Sequence, residues 1–192
     1  MSDLVRVAVD AMGGDYAPVE PVKGAVEAVN ADERVKVQLV GQVDVIEKEL
    51  QKYTYPKERV EIVPATEIIE TGEPPVNAIR HKKDSSIVVG MKKVRCGEAD
   101  AFVSSGSTGA VLVGGQTIVG RIKGVERPPL APLIPTKDGV SLLIDCGANV
   151  DARPSHLVQF AMMGSIYMEH VVGITVLPWK SGSRRRPHTA LR

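Results

Sequence analysis

Aromatic side chains make up only 4% of this 192-residue sequence, whereas Val, Ile, Ala and Gly abound. So few rings among so many small and β-branched residues suit parallel strands packed under helices better than an all-β sandwich. Cysteine is nearly absent. Cys96 and Cys146 lie fifty positions apart without a second ligand-like cluster, and His81, His156, His170 and His188 are scattered. Neither a zinc site nor a disulfide framework follows from that spacing, and reduced thiols in the cytoplasm are expected. Apolar runs of bilayer length are also missing, and Met1 to Val5 lacks a basic stretch leading into an apolar one. A soluble, non-exported protein is therefore expected.

The formal charge of +1 conceals an asymmetry. Residues Thr175 to Arg192 hold Lys180, Arg184, Arg185, Arg186 and Arg192 and no acid, which leaves the body with 19 basic against 23 acidic side chains. That balance argues against nucleic-acid binding. With 43% hydrophobic residues the chain can bury one substantial core, and one domain is expected over residues 1–174.

Short apolar runs at Leu4 to Val9, Val35 to Val40, Val60 to Val63, Ala101 to Val103 and Leu142 to Ile144 read as buried strands. Helical patterns lie between or after them, at Val19 to Val29, Asp44 to Tyr53, Ser85 to Arg95, Ser107 to Ile122 and Pro154 to Val172. Pro18 and Pro21 fit a helix start. Pro74-Pro75 and the Pro128 to Pro135 stretch read as extended connections. The last helical pattern is apolar on nearly every side, which implies burial or an interface, with Met162 and Met163 read as core. Alternation of strand and helix predicts an α/β fold with a mostly parallel sheet, helices on both faces and right-handed crossovers.

Ligands of open α/β sheets bind at the carboxyl ends of the strands, and three loops qualify. The first, Asp10-Ala11-Met12-Gly13-Gly14-Asp15, offers paired glycines for close backbone approach, or equally a tight turn capped by Asp15. The second, Ser104-Ser105-Gly106-Ser107-Thr108-Gly109, opens a helix with small residues. It suits a phosphate held by backbone N–H groups, and it also suits a capped helix whose glycines serve packing. No lysine follows the last glycine, so it is not a P-loop, and Gly-x-x-Gly is not a dinucleotide fingerprint. The third is Asp145-Cys146-Gly147-Ala148-Asn149-Val150-Asp151. There the Asn149 amide can donate to a developing oxyanion and Asp145 can orient neighbouring donors. Cys146 has no base beside it in the sequence, and a free cysteine next to a strand is usually buried, so no thiol nucleophile is assigned.

Taken together and in this order, the three loops resemble the PlsX family, with support from Ile79 to Ser86 and from Pro154 to Gly173. The resemblance covers Val5 to about Ile174. It implies a phosphate acyltransferase that moves a fatty acyl group from acyl carrier protein to inorganic phosphate. The acyl phosphate product would serve the glycerol-3-phosphate acyltransferase that follows in phospholipid synthesis. It further implies a fold like that of the isocitrate and isopropylmalate dehydrogenases and the phosphotransacetylases, a homodimer and a cytoplasmic place, with peripheral contact at the inner membrane face as the variant. No cofactor and no metal are implied. Phosphate is assigned to Gly106, Ser107, Thr108 and Gly109. Asn149, with Asp145 orienting, and the Asp10, Gly13 and Gly14 turn are assigned to the thioester. Arg80, Lys82, Lys83, Lys92, Lys93 and Arg95 are candidates for docking an acidic carrier protein. Ser105 and Ser107 stand where the family usually has Ala and Asn, which keeps a donor but loses an amide's reach.

After Ile174 the likeness stops. Residues 175–192 are read as a non-family basic tail without an ordered fold, produced by a shifted reading frame, and the acyltransferase domain as incomplete. Two alternatives stand beside the main reading: a phosphate-binding fragment without turnover, and a phosphate acyltransferase that uses coenzyme A. A nicotinamide-dependent dehydrogenase is disfavoured.

Overall fold

The computed structural model describes residues 4–137, 139–149 and 151–174, and the chain divides into two compact units, Met1–Ile122 and Lys123–Arg192. In the first unit the apolar runs become β1 (Val5–Asp10), β2 (Val35–Gly41), β3 (Val60–Pro64) and β4 (Ala101–Val103), all parallel and ordered β3-β2-β1-β4. Because strand side chains alternate between faces, Val37 and Leu39 turn one way and Val40, together with Ala8 of β1, the other. On the first face they pack under α1 (Val19–Ala31) and α2 (Val43–Leu50), against Val22, Ala25, Val26, Val29, Ile46 and Leu50. The spacing of the four α1 residues is the apolar stripe of an amphipathic helix. On the second face Ala8, Val40 and Val63 gather Val89 and Val94 of α4 (Ser86–Arg95). Ser85 caps α4, its Oγ accepting from Val88 N at 3.4 Å.

The Pro74-Pro75 connection does not run extended, as the sequence suggested. Pro75 opens α3 (Pro75–His81), occupying the first helical position, where a residue without an N–H loses no intrahelical bond. The next helix, α5 (Thr108–Gly114), continues as a π-turn over Gly115–Val119 and stops short of the expected Ile122. Gly120 adopts φ 101°, a conformation that breaks the helix. The Arg95 guanidinium donates to the Ile118 and Val119 carbonyls at 3.3 and 2.9 Å, satisfying acceptors the helix end leaves open.

The second unit corrects the fifth strand. Instead of a parallel strand over Leu142 to Ile144, the chain forms an antiparallel hairpin of β5 (Leu133–Thr136) and β6 (Gly139–Leu142). Asp138-Gly139 in the sequence is a hairpin-turn dipeptide, and Gly139 takes φ 141°. Its last helix, α6 (Pro154–Tyr167), runs into a π-turn over Met168–Val172 and ends at Gly173 with φ 80°. His156, Phe160, Gly164 and Met168 form its buried stripe, four residues apart. A Cβ on Gly164 would come within 3.3 Å of Leu142, so the helix lies close upon the end of β6. Gln159, Ala161 and Met163 are half-buried, whereas Met162, read as core, is 61% accessible. Among the described residues no helix is long and apolar enough to cross a membrane. Residues 175–192, read as a foreign tail, lie outside the described residues.

Candidate functional site

β1 and β4 are neighbours, so their carboxyl ends bring the first two loops together. Asp10, the last residue of β1, is 1% exposed. Its Oδ2 accepts from Ser104 Oγ at 2.7 Å and its Oδ1 from Met12 N at 3.1 Å. Ser104 Oγ in turn accepts from Gly106 N at 3.0 Å. A buried carboxylate thus holds both turns, and each bond is charge-assisted or feeds one that is.

The glycines are where the two loops interlock. A Cβ at Gly13 would stand 2.2 Å from Asp10 Oδ2 and 2.9 Å from Gly106 N, so no side chain fits there. Gly14 takes φ +103° and faces Ser105. Gly106 approaches Gly13 so closely that its own Cβ would lie 3.3 Å from Gly13 Cα. Asp10, Gly13, Gly14 and Gly106 therefore form one contact set. Sequence reasoning singled out all four, but it passed over Ser104, whose hydroxyl is the link between them. Only the pairing of β1 with β4 reveals that role.

Ser107 is buried and caps α5, its Oγ accepting from Ala110 N at 3.3 Å. Thr108 is exposed at the first turn. Gly109 serves packing in this arrangement, because a Cβ would meet Pro75 Cγ at 2.5 Å, and its bareness lets α3 close on α5. The start of α5 keeps backbone N–H groups without helical partners beside the interlocked turns, a setting suited to an anion's oxygens.

The third loop belongs to the second unit. There Asp145 is an organiser: Oδ1 accepts from Leu130 N at 2.8 Å and Ala148 N at 3.3 Å, and Oδ2 from Asn149 N at 2.7 Å. The Asn149 side-chain amide donates to Asp145 Oδ2 at 3.1 Å and to the Pro128 carbonyl at 3.2 Å. Both of its amide hydrogens are committed, one within the loop and one to Pro128. Cys146 is exposed rather than buried, and so is Cys96. Another residue the sequence left unassigned is His156, 4% exposed, whose Nδ1 accepts from Arg153 N at 3.2 Å while Nε2 lies 3.0 Å from Glu126. The proton therefore sits on Nε2, pointing at the carboxylate.

Several of the proposed docking cations hold the fold. Lys82 binds the Ile68 carbonyl at 2.6 Å and Glu73, Lys83 the Ile79 carbonyl, Lys92 the Lys83 carbonyl, and Lys93 pairs with Glu98 at 2.7 Å. The Lys82 ammonium holds the Glu73 carboxyl below its ordinary range, helped by the Glu70 N–H. Among the described residues no group of His, Cys, Asp and Glu side chains is placed to hold a metal.

The architecture is that of an α/β protein of the phosphotransacetylase fold. A phosphotransacetylase from Streptococcus pyogenes superposes with a TM-score of 0.65 at 16% identity, covering 89% of this chain and 55% of its own. The EutD phosphotransacetylase from Staphylococcus aureus gives 0.62 at 17%, covering 86% and 53%. Residues 5–181 match the FA_synthesis family, described as "Fatty acid synthesis protein", and the chain belongs to this family, that of the PlsX-type phosphate acyltransferases. The match runs past Ile174 to residue 181. A phosphate acyltransferase from Alkaliphilus oremlandii is 51% identical over 171 residues, 88% of this chain and 50% of that protein. One from Desulfitobacterium hafniense is 52% identical over 171 residues, 89% and 50%. The chain thus spans about half the length of the curated relatives it matches.

Proposed function

We propose that this chain carries the phosphate-handling part of an acyltransferase that moves a fatty acyl group from acyl carrier protein to inorganic phosphate. The observation that supports it most is identity of about half over 88% of the chain to proteins named phosphate acyltransferase. The interlocked loops of β1 and β4 lie within the matched stretch. In the reaction a phosphate oxygen attacks the thioester carbonyl carbon, the carbon–sulfur bond breaks, and the phosphate hydroxyl proton passes to the departing thiolate. Phosphate is itself the nucleophile, so positioning and oxyanion stabilisation suffice without a covalent enzyme intermediate.

In this reading the N–H groups at Ser107, Thr108 and Gly109 hold the phosphate, with the Thr108 hydroxyl free to join them, and Gly106, whose own N–H donates to Ser104 Oγ, brings the turn close to it. Gly13 and Gly14 bring backbone close to the thioester, while Asp10 keeps the turn in place. Asn149 exchanges its bond to the Pro128 carbonyl for the thioester oxygen, and Asp145 keeps the other amide hydrogen aligned. The acyl phosphate goes to glycerol 3-phosphate acylation in phospholipid synthesis. The enzyme works as a cytoplasmic homodimer, touching the inner membrane face at most peripherally, with the wider dehydrogenase-like architecture that the family resemblance implies.

The test is phosphate-dependent release of carrier-protein thiol from palmitoyl-acyl carrier protein, with acyl phosphate detected as hydroxamate. The 192-residue chain is assayed beside the full-length Alkaliphilus relative. Palmitoyl- and acetyl-coenzyme A run in parallel, and preference for either assigns the coenzyme A variant. Phosphate binding by the chain without turnover identifies a binding fragment, and neither binding nor turnover removes the proposal.

A further inference from the structure

In the second unit, residues 124–130 are held from two sides. From α6, Gln159 Oε1 accepts from Glu126 N at 2.9 Å, Gln159 Nε2 donates to the Gly124 carbonyl at 3.2 Å, and His156 Nε2 lies 3.0 Å from the Glu126 carboxylate. His156 and Gln159 stand three positions apart, on one side of the helix. From the other side the Asp145 loop takes Leu130 twice, its N–H donating to Asp145 Oδ1 and its carbonyl accepting from Cys146 N at 2.8 Å. The same loop takes the Pro128 carbonyl through the Asn149 amide.

A helix cap alone does not account for His156. Its Nδ1 completes the cap by accepting from Arg153 N, a task that Glu or Gln performs at the same helical position. The second ring nitrogen does something a cap does not need, reaching out of the helix to Glu126 from a side chain that is itself buried. Between Glu126 and Leu130 lie Arg127, Pro128 and Pro129. Each proline fixes its φ near about −65° and restricts the residue before it, so this stretch neither shortens nor bends easily. A displacement at Glu126 is therefore passed to the Pro128 carbonyl and the Leu130 N–H, which Asn149 and Asp145 hold.

We propose that His156 is a positioning residue, which with Glu126 and the stiff Pro128-Pro129 stretch sets where the Asn149 amide stands. The imidazole donates its Nε2 proton to the Glu126 carboxylate, and Gln159 fixes the backbone at Gly124 and Glu126. α6 thus holds the third loop at one remove, without touching Asn149 through either side chain. The consequence for acyl transfer rests on the reading of Asn149 as the donor to the thioester oxygen, whereas the consequence for the geometry of the loop does not.

Hydrogen exchange followed by NMR on the 192-residue chain tests it. Glu126→Ala is the main variant, because truncating a side chain that is 52% exposed opens no cavity. Exchange at Leu130 N, Cys146 N and the Asn149 side-chain amide should speed by about threefold to tenfold, while β1, β5 and β6 keep their rates. Glu126→Gln, which retains an acceptor oxygen, should return those rates to within about twofold of the parent. His156→Glu, which keeps the cap and sets like charges face to face, should speed the same groups while Arg153 N stays protected. With Asn149 serving the thioester, Glu126→Ala should also lower kcat for thiol release from palmitoyl-acyl carrier protein and leave the KM for phosphate unchanged. Unchanged exchange at the three groups in Glu126→Ala, or faster exchange confined to the first turn of α6, overturns the proposal. Turnover of Asn149→Ala equal to the parent removes instead the acyl-transfer reading of that amide, and the exchange rates still decide the positioning.

Discussion

Ser104 Oγ donates to Asp10 Oδ2 at 2.7 Å, linking the ends of β1 and β4 across 94 positions of sequence. Removing the carboxylate leaves the Ser104 hydroxyl and the Met12 N–H, both half-buried, without their acceptor. Asp10→Ala should cost about 1–3 kcal/mol in urea unfolding, and Asp10→Asn, which keeps one acceptor oxygen, should cost less. An unchanged midpoint for Asp10→Ala would remove the carboxylate from the account of how the loops are held.

Gly13 and Gly24 differ in their surroundings and should respond oppositely to alanine. At Gly13 the new Cβ collides with Asp10 and with Gly106 N, so Gly13→Ala should destabilise by about 1–3 kcal/mol and weaken phosphate binding. Gly24 lies inside α1 with nothing within 4 Å of a built Cβ, so Gly24→Ala should stabilise the 192-residue chain by up to about 1 kcal/mol. Thermal melts of the two variants side by side check both signs.

Ser107 is the N-cap of α5, and Ser107→Ala should cost about 1 kcal/mol. Ser107→Asn, whose amide oxygen can also accept from Ala110 N, should keep the cap and match the parent in urea unfolding. If alanine proves as good as serine, the cap contributes nothing to stability.

Arg6 and Asp100 tie the start of β4 to β1. The Arg6 guanidinium and then its backbone N–H hold the Asp100 carboxyl down to about 2 from an ordinary 3.8. A folded value below the unfolded one means that this stabilisation is complete above the unfolded value and is lost as pH falls through about 2. Asp32, held to about 2 by Arg34, acts in the same window and sense. Asp100→Asn should therefore flatten the fall in Tm between pH 4 and 2. Because both partners are solvent-exposed, added salt should shrink the difference.

Asp145 gathers Leu130 N, Ala148 N, Asn149 N and the Asn149 amide. Asp145→Ala should speed hydrogen exchange at those backbone amides while leaving β1 and β2 protected. Asp145→Asn should give an intermediate pattern, since a neutral oxygen accepts more weakly. Unchanged exchange at those amides in Asp145→Ala would show that another group holds the loop.

Much of this was legible from residue order. Runs such as Val35 to Val40 carry the period and length of a buried strand, and Val22, Ala25, Val26 and Val29 mark a helix face. Glycines at 13, 14 and 106 advertised close backbone approach before any coordinate did. The errors share one cause, competition between local signals. Pro75 reads as a helix breaker or a helix first residue depending on what α3 packs against, and Leu142 to Ile144 is as apolar as a buried strand although β6 ends at Leu142. Cys146 and Met162 were placed inside by residue type, although neither type is forced inside.

By itself the sequence determined much of the local alphabet: the strands β1 to β4, the helices α1, α2, α4 and α6, where the backbone must be bare, and the family, because those properties reside in neighbouring residues. Tertiary structure alone decided that Ser104 meets Asp10, that Gly109 serves Pro75, and that the Asn149 amide faces Asp145 and Pro128. Those contacts depend on strand order and loop closure, and no periodicity in the chain encodes the distance between residues that only folding makes neighbours.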